Sequence, residues 1–344
     1  MKIVFVVDDN DTNLLAAKAA LEGSYRVITM ESAAKMFKLS AKLKPDLILL
    51  DVVMPECDGF TAMGMMKEDP VLSKVPVIFL TSKLDPETEI QGFELGAVDF
   101  LNKPFSAPIL IRRIETHIET DKLIKMSEEK LRKIQNALIS VIAELVEDRD
   151  KVTGGHIERT QIYLQILVEK MLEDKIYPEE SVGWDTSILL PSAQLHDVGK
   201  ISISDFVLNK PSKLSDEEFD IIKTHAAEGE RIIDEIMKKT EDDGFLMHAK
   251  MFAGYHHEKW DGTGYPRRLS GKDIPLQGRL MAIADVYDAL VSERPYKKAF
   301  THEKAVDIII GNSGTQFDPT LIEIFKKVSD EFWIENVAGS DSDD

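Results

Sequence analysis

Five short apolar runs alternate with helix-like stretches over the first 120 residues. The runs are KIVFVV (2–7), YRVIT (25–29), DLILLDVV (46–53), PVIFLTS (76–82) and the weaker VDFLNKP (98–104). Because they are almost continuously apolar rather than alternating, the strands that they predict are buried on both faces, as in a parallel sheet covered by helices. We therefore expect a five-stranded, doubly wound α/β domain over residues 1–120.

From residue 106 onward the pattern becomes helical. Apolar residues follow one another at alternating spacings of three and four, at Leu131, Ile134, Leu138, Val141 and Leu145. This is the heptad seam of a coiled coil, but with Ile124 it covers only about three heptads, the minimum for such a prediction. We place a helical linker at 121–148, and both a homodimer through this helix and a helix packed on its own domain stay open.

Residues 149–335 predict a second, all-α domain, joined to the first by that long helix. Strand-like runs are absent there, and the segments 216–239 and 275–293 place apolar residues on one helical face. The closing GSDSDD is typical of a solvated tail, so we predict an acidic disordered tail over 336–344.

The chain of 344 residues carries 42 Lys and Arg against 61 Asp and Glu, a net charge of −19. This charge opposes binding to a nucleic-acid backbone, which needs a basic face. No apolar run approaches the roughly 18 residues of a membrane helix, and no signal peptide is evident. We therefore expect a cytoplasmic protein with neither DNA nor a membrane as partner. A small anionic substrate is compatible with this charge, because bound cations reverse the potential within one cleft.

Three carboxylates stand at the ends of predicted strands: Asp8 and Asp9 after the first, and Asp51 after the third. The carboxyl ends of parallel strands share one sheet edge, so these groups converge there, which is best explained by a hard cation such as Mg²⁺. Thr81 and Lys103 end the fourth and fifth strands, and a hydroxyl and an ammonium can hold the oxygens of a phosphoryl group on a neighbouring carboxylate. Asp51 is the candidate phosphate acceptor.

Histidines lie next to carboxylates in the second half of the chain, at His156, His196-Asp197, His225, His256-His257 and Asp285. This mixture suits Fe, Mn, Ni or Zn. Adjacent residues on a helix project about 100° apart, so each pair reaches one centre only over a helix edge, and several ions sharing a bridging carboxylate would satisfy this. Asp197 is the best bridging candidate. Two such ions would activate a water molecule and neutralise a phosphodiester, which predicts in-line hydrolysis.

Three basic residues add contacts to phosphate. Lys200 follows His196 by one turn and can orient a phosphate oxygen. Arg294 and Lys297 offer bidentate and point-charge contacts for further phosphates. Taken without this context, each of the three is a solvated surface charge.

The stretch 1–120 resembles response-regulator receiver domains, which are flavodoxin-like and of the CheY type, through VVDD (6–9), LLDVVMPECDG (49–59), LTS (80–82) and DFLNKPF (99–105). In that family an acidic pair binds Mg²⁺, one aspartate is phosphorylated by a sensor histidine kinase, and a threonine and a lysine sense the phosphate. The matching positions are Asp8, Asp9, Asp51, Thr81 and Lys103. Phe100 stands where the family carries its aromatic switch residue, with plain core packing as the alternative.

The stretch 140–335 resembles the HD-GYP branch of the HD phosphohydrolases, through LHDVGKI (195–201), THAAEG (224–229), HHEKWDGTGYP (256–266), IADVYDAL (283–290) and ERPYKKA (293–299). Members are all-helical enzymes that hydrolyse cyclic di-GMP with two or three metals, commonly iron or manganese. The resemblance implies six metal ligands: His196, Asp197, His225, His256, His257 and Asp285. It also implies catalytic roles for Asp197 and Lys200, and substrate-phosphate contacts for Arg294 and Lys297. Gly264, Tyr265 and Pro266 would shape the cleft and contact diguanylate cyclases of the GGDEF class.

One departure concerns the number of metals. Trinuclear members carry a glutamate four residues before the histidine that His156 matches, whereas this chain has Val152 there. This favours a binuclear site, in which His156 lies on the substrate side or behind the ligands. A role for His156 as ligand of a third metal stays open.

These observations predict a two-component response regulator in which phosphorylation of Asp51 controls hydrolysis of cyclic di-GMP to pGpG and onward to GMP. A preference for a mixed cyclic GMP-AMP is a variant of the same activity. The alternative from another class is a catalytically silent adaptor that recruits GGDEF cyclases, although an intact ligand set argues against it. A DNA-binding regulator is disfavoured because the chain shows no basic recognition helix.

Overall fold

The chain divides into two compact units, Met1–Arg132 and Lys133–Asp344. The structure is a computed structural model and describes residues 1–82, 85–149, 155–240, 244–293 and 298–340, with the backbone alone for 335–340. The domain boundaries drawn above stay a prediction.

The first unit holds a five-stranded parallel sheet in the order β2-β1-β3-β4-β5. Its strands coincide with the five apolar runs: β1 Ile3–Val7, β2 Arg26–Met30, β3 Leu47–Asp51, β4 Val77–Thr81 and β5 Asp99–Asn102. The order changes direction between β1 and β3, and in such sheets the crevice outside the carboxyl ends at this point is where ligands bind. The predicted doubly wound α/β fold is confirmed.

Helices cover both faces of this sheet: α1 Asp11–Leu21, α2 Ala33–Ser40, α3 Gly59–Glu68, α4 Pro86–Glu94 and α5 Ala107–Asp148. Four of them begin at a side chain that accepts a first-turn N–H, from Asn10, Ser32, Asp58 and Asp85 in turn. Successive strand residues point to opposite faces, so Phe5 and Val7 join one hydrophobic cluster while Val4 and Val6 join the other.

The second unit is helical, as predicted, and its described residues form no β-strand. Its helices are α6 His156–Glu173, α7 Thr186–Ser192, α8 Asp205–Leu208, α9 Asp216–Met237, α10 Phe245–Tyr255, α11 Leu276–Val291, α12 His302–Gly311 and α13 Pro319–Ser340. Short 3₁₀ turns lie at Ala193–Leu195, Val198–Ser202 and Gly271–Asp273. Helix α13 continues beyond residue 335, where the sequence predicts the tail to begin.

The main core of this unit joins α6, α11 and α13. Tyr163 of α6 stacks on Phe332 of α13 with ring centroids 4.7 Å apart, and Tyr287 of α11 meets both rings edge-on. This core anchors the two helices that carry His156 and Asp285, because α6 and α11 both contribute buried residues to it.

Helix α5 has two different apolar faces in its last turns. Ile139, Ala143 and Val146 are buried, and Ile139 packs in a cluster with residues of α9 and α10. The heptad seam lies on another face, where its five residues from Leu131 to Leu145 are 48–64% exposed. Packing on its own domain therefore leaves the seam uncovered. No helix of the described residues has the length and apolar content needed to cross a membrane.

Candidate metal centre and acidic pocket

An acidic pocket lies at the carboxyl ends of β1 and β3. Asp8, Asp9 and Asp51 each direct an oxygen into a space where these atoms lie within 4.8 Å of one another. Lys103, which follows β5, places its Nζ 2.7 Å from Asp8 Oδ2 and 2.7 Å from Asp51 Oδ1. Thr81 is buried at the end of β4. The fold thus gathers the predicted receiver residues at one edge of the sheet.

The charge in this pocket is unbalanced. Burial raises the pKa of Asp51, the Lys103 ammonium lowers it in part, and Asp8 raises it again. Three carboxylates against one ammonium leave a net negative pocket, which suits a divalent cation bound through carboxylate oxygens.

Phe100 is buried on β5 between two other rings. Its centroid lies 5.3 Å from that of Phe79 and 5.2 Å from that of Phe93. Gly92 of α4 leaves the room that the ring fills, since a Cβ there would lie 2.2 Å from Phe100 Cζ. The Phe100 ring is therefore packed in the core of the domain, and its role as a switch residue stays a prediction.

Among the described residues of the second unit, seven possible metal ligands form two groups. Within each group the ligand atoms lie within 4.8 Å of one another: Asp197, His225, His256 and His257 form the first, and His156, His196 and Asp285 the second. All six ligands expected from the sequence are thus brought together. His156 was expected on the substrate side or behind the ligands, with ligation of a third metal left open, and it stands among the possible ligands.

The adjacent pairs do not lie within helices, which corrects one expectation. His196 and Asp197 stand between two 3₁₀ turns, and His256 caps the end of α10 with His257 beyond it. Where a helix is interrupted, the angle between neighbouring side chains is no longer fixed at the 100° of a regular helix. Asp197 and His196 can therefore join different groups.

Gly199 and Gly229 let the turn after Asp197 come close enough to α9 for this arrangement. A Cβ on Gly199 would lie 1.9 Å from the carbonyl oxygen of His225 and 2.4 Å from the nitrogen of Gly229. The turn that follows Asp197 therefore lies directly against α9, and this contact brings Asp197 and Lys200 beside His225.

Hydrogen bonds orient three of the histidine rings. Nδ1 of His196 donates to Ala193 O at 3.0 Å, Nδ1 of His225 to Ile222 O at 2.7 Å, and Nδ1 of His256 to Phe252 O at 2.9 Å. A carbonyl oxygen only accepts, so each Nδ1 carries the proton. The opposite nitrogen, Nε2, then directs a lone pair towards the centre.

In the part of the chain that the structure describes, these nitrogens face one another and the oxygens of Asp197. Nε2 of His225 and Nε2 of His256 lie 3.4 Å apart, and Asp197 Oδ1 lies 3.3 Å from the former. Among the described residues, the buried Asp197 Oδ1 and His196 Nε2 have no hydrogen-bond partner. Buried acceptors that converge in this way fit a bound cation.

The protonation states also suit metal binding. Burial lowers the pKa of His196 to about 4. Burial and the neighbouring rings of His256 and His225 hold the pKa of His257 well below its usual range. Burial alone would raise the pKa of Asp197, but the Lys200 ammonium and nearby imidazoles hold it well below its usual range. Neutral imidazoles and an ionised carboxylate are the forms that bind cations.

Asp197 faces both groups. Its Oδ1 is directed at His225 and His256, while its Oδ2 lies 3.5 Å from His196 Nε2 and 2.8 Å from Lys200 Nζ. This geometry suits a carboxylate that bridges two cations, with the Lys200 ammonium at the rim.

The loop after His257 packs on the centre. The Tyr265 ring lies 4.7 Å from the His257 ring, and burial raises the Tyr265 pKa. Gly264 is required by close approach, since a Cβ there would lie 2.6 Å from His257 O. Buried Glu258 holds the loop by accepting from Arg267 N and Leu269 N. Pro266 lies on the other side of Tyr265, in a neighbouring groove.

A cavity of about 330 Å³ opens over the centre. Its polar lining includes Asp197, Lys200, His225, His257 and Asp285. The same cavity is also lined by apolar side chains: Ala143, Val146, Val198, Leu208, Leu214, Phe219 and Ile222. A cavity with both ionic and apolar lining suits a ligand that carries both phosphate and a planar ring.

Some predicted residues lie outside the described part of the chain, namely Arg294, Lys297 and Val152. Sequence reasoning also missed several residues at the centre: Glu147, Arg159, Glu258 and Asp288. Asp288 had a usable signal, because it follows Asp285 by three positions and residues at this spacing share a helix face. Arg159 and Glu147 carry no such signal.

Two family models match the chain, a response regulator receiver domain over residues 4–115 and an HD domain over residues 140–321. The HD-domain match spans more than half of the chain, which therefore belongs to the HD-domain family and carries a response-regulator receiver before that domain. The resemblance drawn from the motifs is confirmed.

Three curated relatives illustrate the similarity. The chain is 39% identical over 337 residues to a probable cyclic di-GMP phosphodiesterase of Vibrio cholerae, covering 94% of this chain and 76% of that protein. It is 32% identical over 285 residues to the cyclic di-GMP phosphodiesterase response regulator RpfG of Xanthomonas campestris pv. campestris, covering 81% and 74%. It is 37% identical over 203 residues to the 3'3'-cGAMP-specific phosphodiesterase 2 of Vibrio cholerae, covering 59% and 36%.

The contact between Gly199 and α9 predicts the effect of adding one methyl group. Gly199→Ala forces the turn away from α9, which should lower the free energy of unfolding by about 1–3 kcal/mol, the usual cost of overpacking. It should also weaken Mn²⁺ binding, because Asp197 moves with the turn. Gly311→Ala is the control, since a Cβ there meets nothing within 4 Å. Thermal unfolding and Mn²⁺ titration of both variants check this, and a Gly199→Ala protein as stable as wild type would contradict it.

Proposed function

We propose that this protein is a response regulator that hydrolyses a phosphodiester bond of cyclic di-GMP at the centre around Asp197. The observation that carries the proposal is the convergence of histidine nitrogens on both oxygens of the Asp197 carboxylate. The names of the relatives over most of the chain support the same substrate.

Divalent cations held by the two groups would lower the pKa of a water molecule and offset the charge of a phosphodiester. Asp197 holds the groups together with one oxygen towards each. Lys200, with its Nζ at the rim, is placed to donate to a phosphate oxygen. Tyr265 shields the His257 side from water. Iron or manganese suits this mixture of imidazole and carboxylate, with nickel or zinc as alternatives.

The apolar lining supports a nucleotide substrate. Ile222 and Phe219 of α9 stand about one and two turns before His225, and all three residues line the same cavity. A purine ring gains from burial against such side chains while its phosphate reaches the ionic lining. The mixed cyclic dinucleotide has the same features, and one relative is named for that activity.

Metal-loaded wild-type protein should convert cyclic di-GMP to pGpG, and chromatography of the reaction mixture measures this conversion. Asp197→Asn should lower kcat by about 1,000-fold, because the several kcal/mol supplied by metal polarisation correspond to that factor. Asp307→Asn, an exposed aspartate of α12, is the control and should retain activity. A parallel assay with 3'3'-cGAMP decides the preferred dinucleotide, and elemental analysis after anaerobic purification identifies the metal.

An inactive holo-protein would overturn the proposed hydrolysis and favour the adaptor. The loop of Gly264, Tyr265 and Pro266 would then be the surface to test against GGDEF diguanylate cyclases. The same loop borders a groove with Lys223 and Glu228 of α9. We propose binding of GGDEF cyclases as a second function of this loop, and binding assays with purified cyclase domains measure it.

Control by the receiver would start at Asp51, which a sensor histidine kinase would phosphorylate with Mg²⁺ held by Asp8, Asp9 and Asp51. Lys103 already contacts the Asp51 carboxylate at 2.7 Å, and Thr81 ends the adjacent strand. Both residues are therefore placed to bind a phosphoryl group on Asp51.

Mg²⁺ should raise the melting temperature of the receiver unit by a few degrees, because it offsets the net negative pocket. The folded-state pKa of Asp51 is raised, so its ionised form costs stability at pH values above that pKa. Asp51→Asn should therefore stabilise the metal-free receiver at pH 7 and reduce the effect of Mg²⁺. The difference should vanish below about pH 3.8, the ordinary pKa of an aspartate in the unfolded chain. Asp121→Asn on α5 controls for net charge, and an unchanged Mg²⁺ response in Asp51→Asn would contradict the site.

Helix α5 offers a route from the receiver to the cavity. It begins at Ala107 in the receiver unit, and near its end Ala143, Val146 and Glu147 line the cavity. The next residue after the helix, Arg149, donates to Ile201 O and Ile203 O at 3.1 Å each. These carbonyls belong to the segment that follows Lys200, so a shift of α5 would move the groups around Asp197.

The exposed seam of α5 supports a homodimer. Leu131, Leu138 and Leu145 stand at one heptad position, with Ile134 and Val141 at the other, and the flanking Ala137 and Ile142 are apolar. A second copy presents the same seam, so a coiled coil would bury it.

Leu138→Glu should weaken self-association by at least about 100-fold, because burying a carboxylate without a partner costs several kcal/mol. Leu15→Glu is the matched control, since Leu15 is 68% exposed on α1, outside the seam. Sedimentation equilibrium over a range of concentrations measures both variants. A wild-type protein that stays monomeric at high concentration would rule out the dimer.

A further inference from the structure

Asp288 is a fully buried carboxylate that the proposed chemistry does not use. It lies on α11 one turn after Asp285. His156 Nδ1 donates to its Oδ2 at 2.7 Å, and Arg159 Nε donates to its Oδ1 at 2.7 Å. Arg159 makes a further bond to Oδ2 at 3.1 Å and one to Ser292 Oγ at 3.1 Å. Asp288 therefore joins the start of α6 to the end of α11.

His156 differs from the other oriented histidines in how its ring is held. His196, His225 and His256 each donate Nδ1 to a carbonyl three or four residues earlier. His156 is the first residue of α6, so no earlier turn of that helix can supply such a carbonyl. Asp288 supplies the acceptor from another helix.

This bond directs the opposite side of the ring into the second group. With Nδ1 on Asp288, Nε2 of His156 lies 3.7 Å from Asp285 Oδ1. Its ring centroid lies 5.6 Å from that of His196. The backbone is held as well, because His156 N donates to Glu147 Oε1 at 3.2 Å. Both the main chain and the ring of His156 are thus fixed.

Arg159 makes the burial of Asp288 possible. A lone carboxylate in this position would be costly to ionise, whereas the guanidinium fork contacts both of its oxygens. A carboxylate that receives the far N–H of a metal-binding imidazole orients the ring and raises its basicity.

We propose that Asp288, held ionised by Arg159, is a positioning residue that fixes His156 as a cation ligand in the group with His196 and Asp285. The inference deepens the proposed function and rests on it for the role of that group. It favours a ligand role for His156 over the substrate-side role, both of which the sequence left open.

The test is Mn²⁺ titration into metal-free full-length protein, followed by electron paramagnetic resonance of free Mn²⁺. Asp288→Asn should weaken the affected site between about 10-fold and 100-fold, the usual effect of removing such a carboxylate. His156→Ala should weaken it at least as much. In the double variant, Asp288→Asn should add almost nothing, because it acts through the ring that is already missing.

Two further variants separate positioning from general stability. Arg159→Gln should weaken the same site by less than Asp288→Asn, since the carboxylate remains. Asp318→Asn removes another buried carboxylate, which pairs with Arg279 at 2.9 Å away from the centre. It should lower the melting temperature and leave Mn²⁺ affinity unchanged.

Wild-type affinity in Asp288→Asn, or losses that add in the double variant, would overturn the inference. Either result can occur in an enzyme that still hydrolyses cyclic di-GMP, so the proposed function would survive it. Conversely, coupled losses of Mn²⁺ affinity in a protein that cleaves no dinucleotide would support the positioning role and remove the proposed substrate.

Discussion

At the centre of the second unit, hydrogen-bond acceptors face one another, and a bound cation would relieve the repulsion between them. Nitrogens of His196, His225 and His256 converge on the oxygens of Asp197, and each presents a lone pair because the other nitrogen of its ring donates to a carbonyl. Acceptors that face acceptors in a buried space are unfavourable without a donor or a cation between them. Metal binding would therefore stabilise the packing that holds Asp197 against His225. The free energy of unfolding of this unit would then depend on the same cations that the proposed hydrolysis requires.

Five of the seven possible ligands among the described residues stand where helices begin, end or are interrupted, while His225 and Asp285 lie within α9 and α11. His156 opens α6, His256 caps α10, and the pair of His196 and Asp197 lies between two 3₁₀ turns. At such points the backbone is free of the regular helical rotation, so neighbouring side chains can serve different cations. Close contact through Gly199 then brings these ends together. The acidic pocket of the receiver follows a similar rule, since Asp51 and Thr81 stand at the ends of strands.

The apolar pattern of helix α5 is compatible with two different packing arrangements. The heptad spacing predicted either a dimer or packing on its own domain, and the buried face turned out to be the one with Ile139 and Val146. Apolar residues occur on both faces, and spacing alone does not tell which face meets a core. The choice depends on the partner surface offered by α9 and α10, which belongs to residues far along the chain.

The sequence alone determined the five buried strands, the helical second unit and the residue types of the metal centre, because apolar periodicity and side-chain chemistry are local properties. Only the tertiary structure decided how the ligands divide into two groups and that His156 joins one of them. It also revealed Asp288 and Arg159, since the bond between His156 and Asp288 spans 132 positions. Such a contact depends on how α6 and α11 pack through their shared aromatic core, and no spacing rule reaches across that distance.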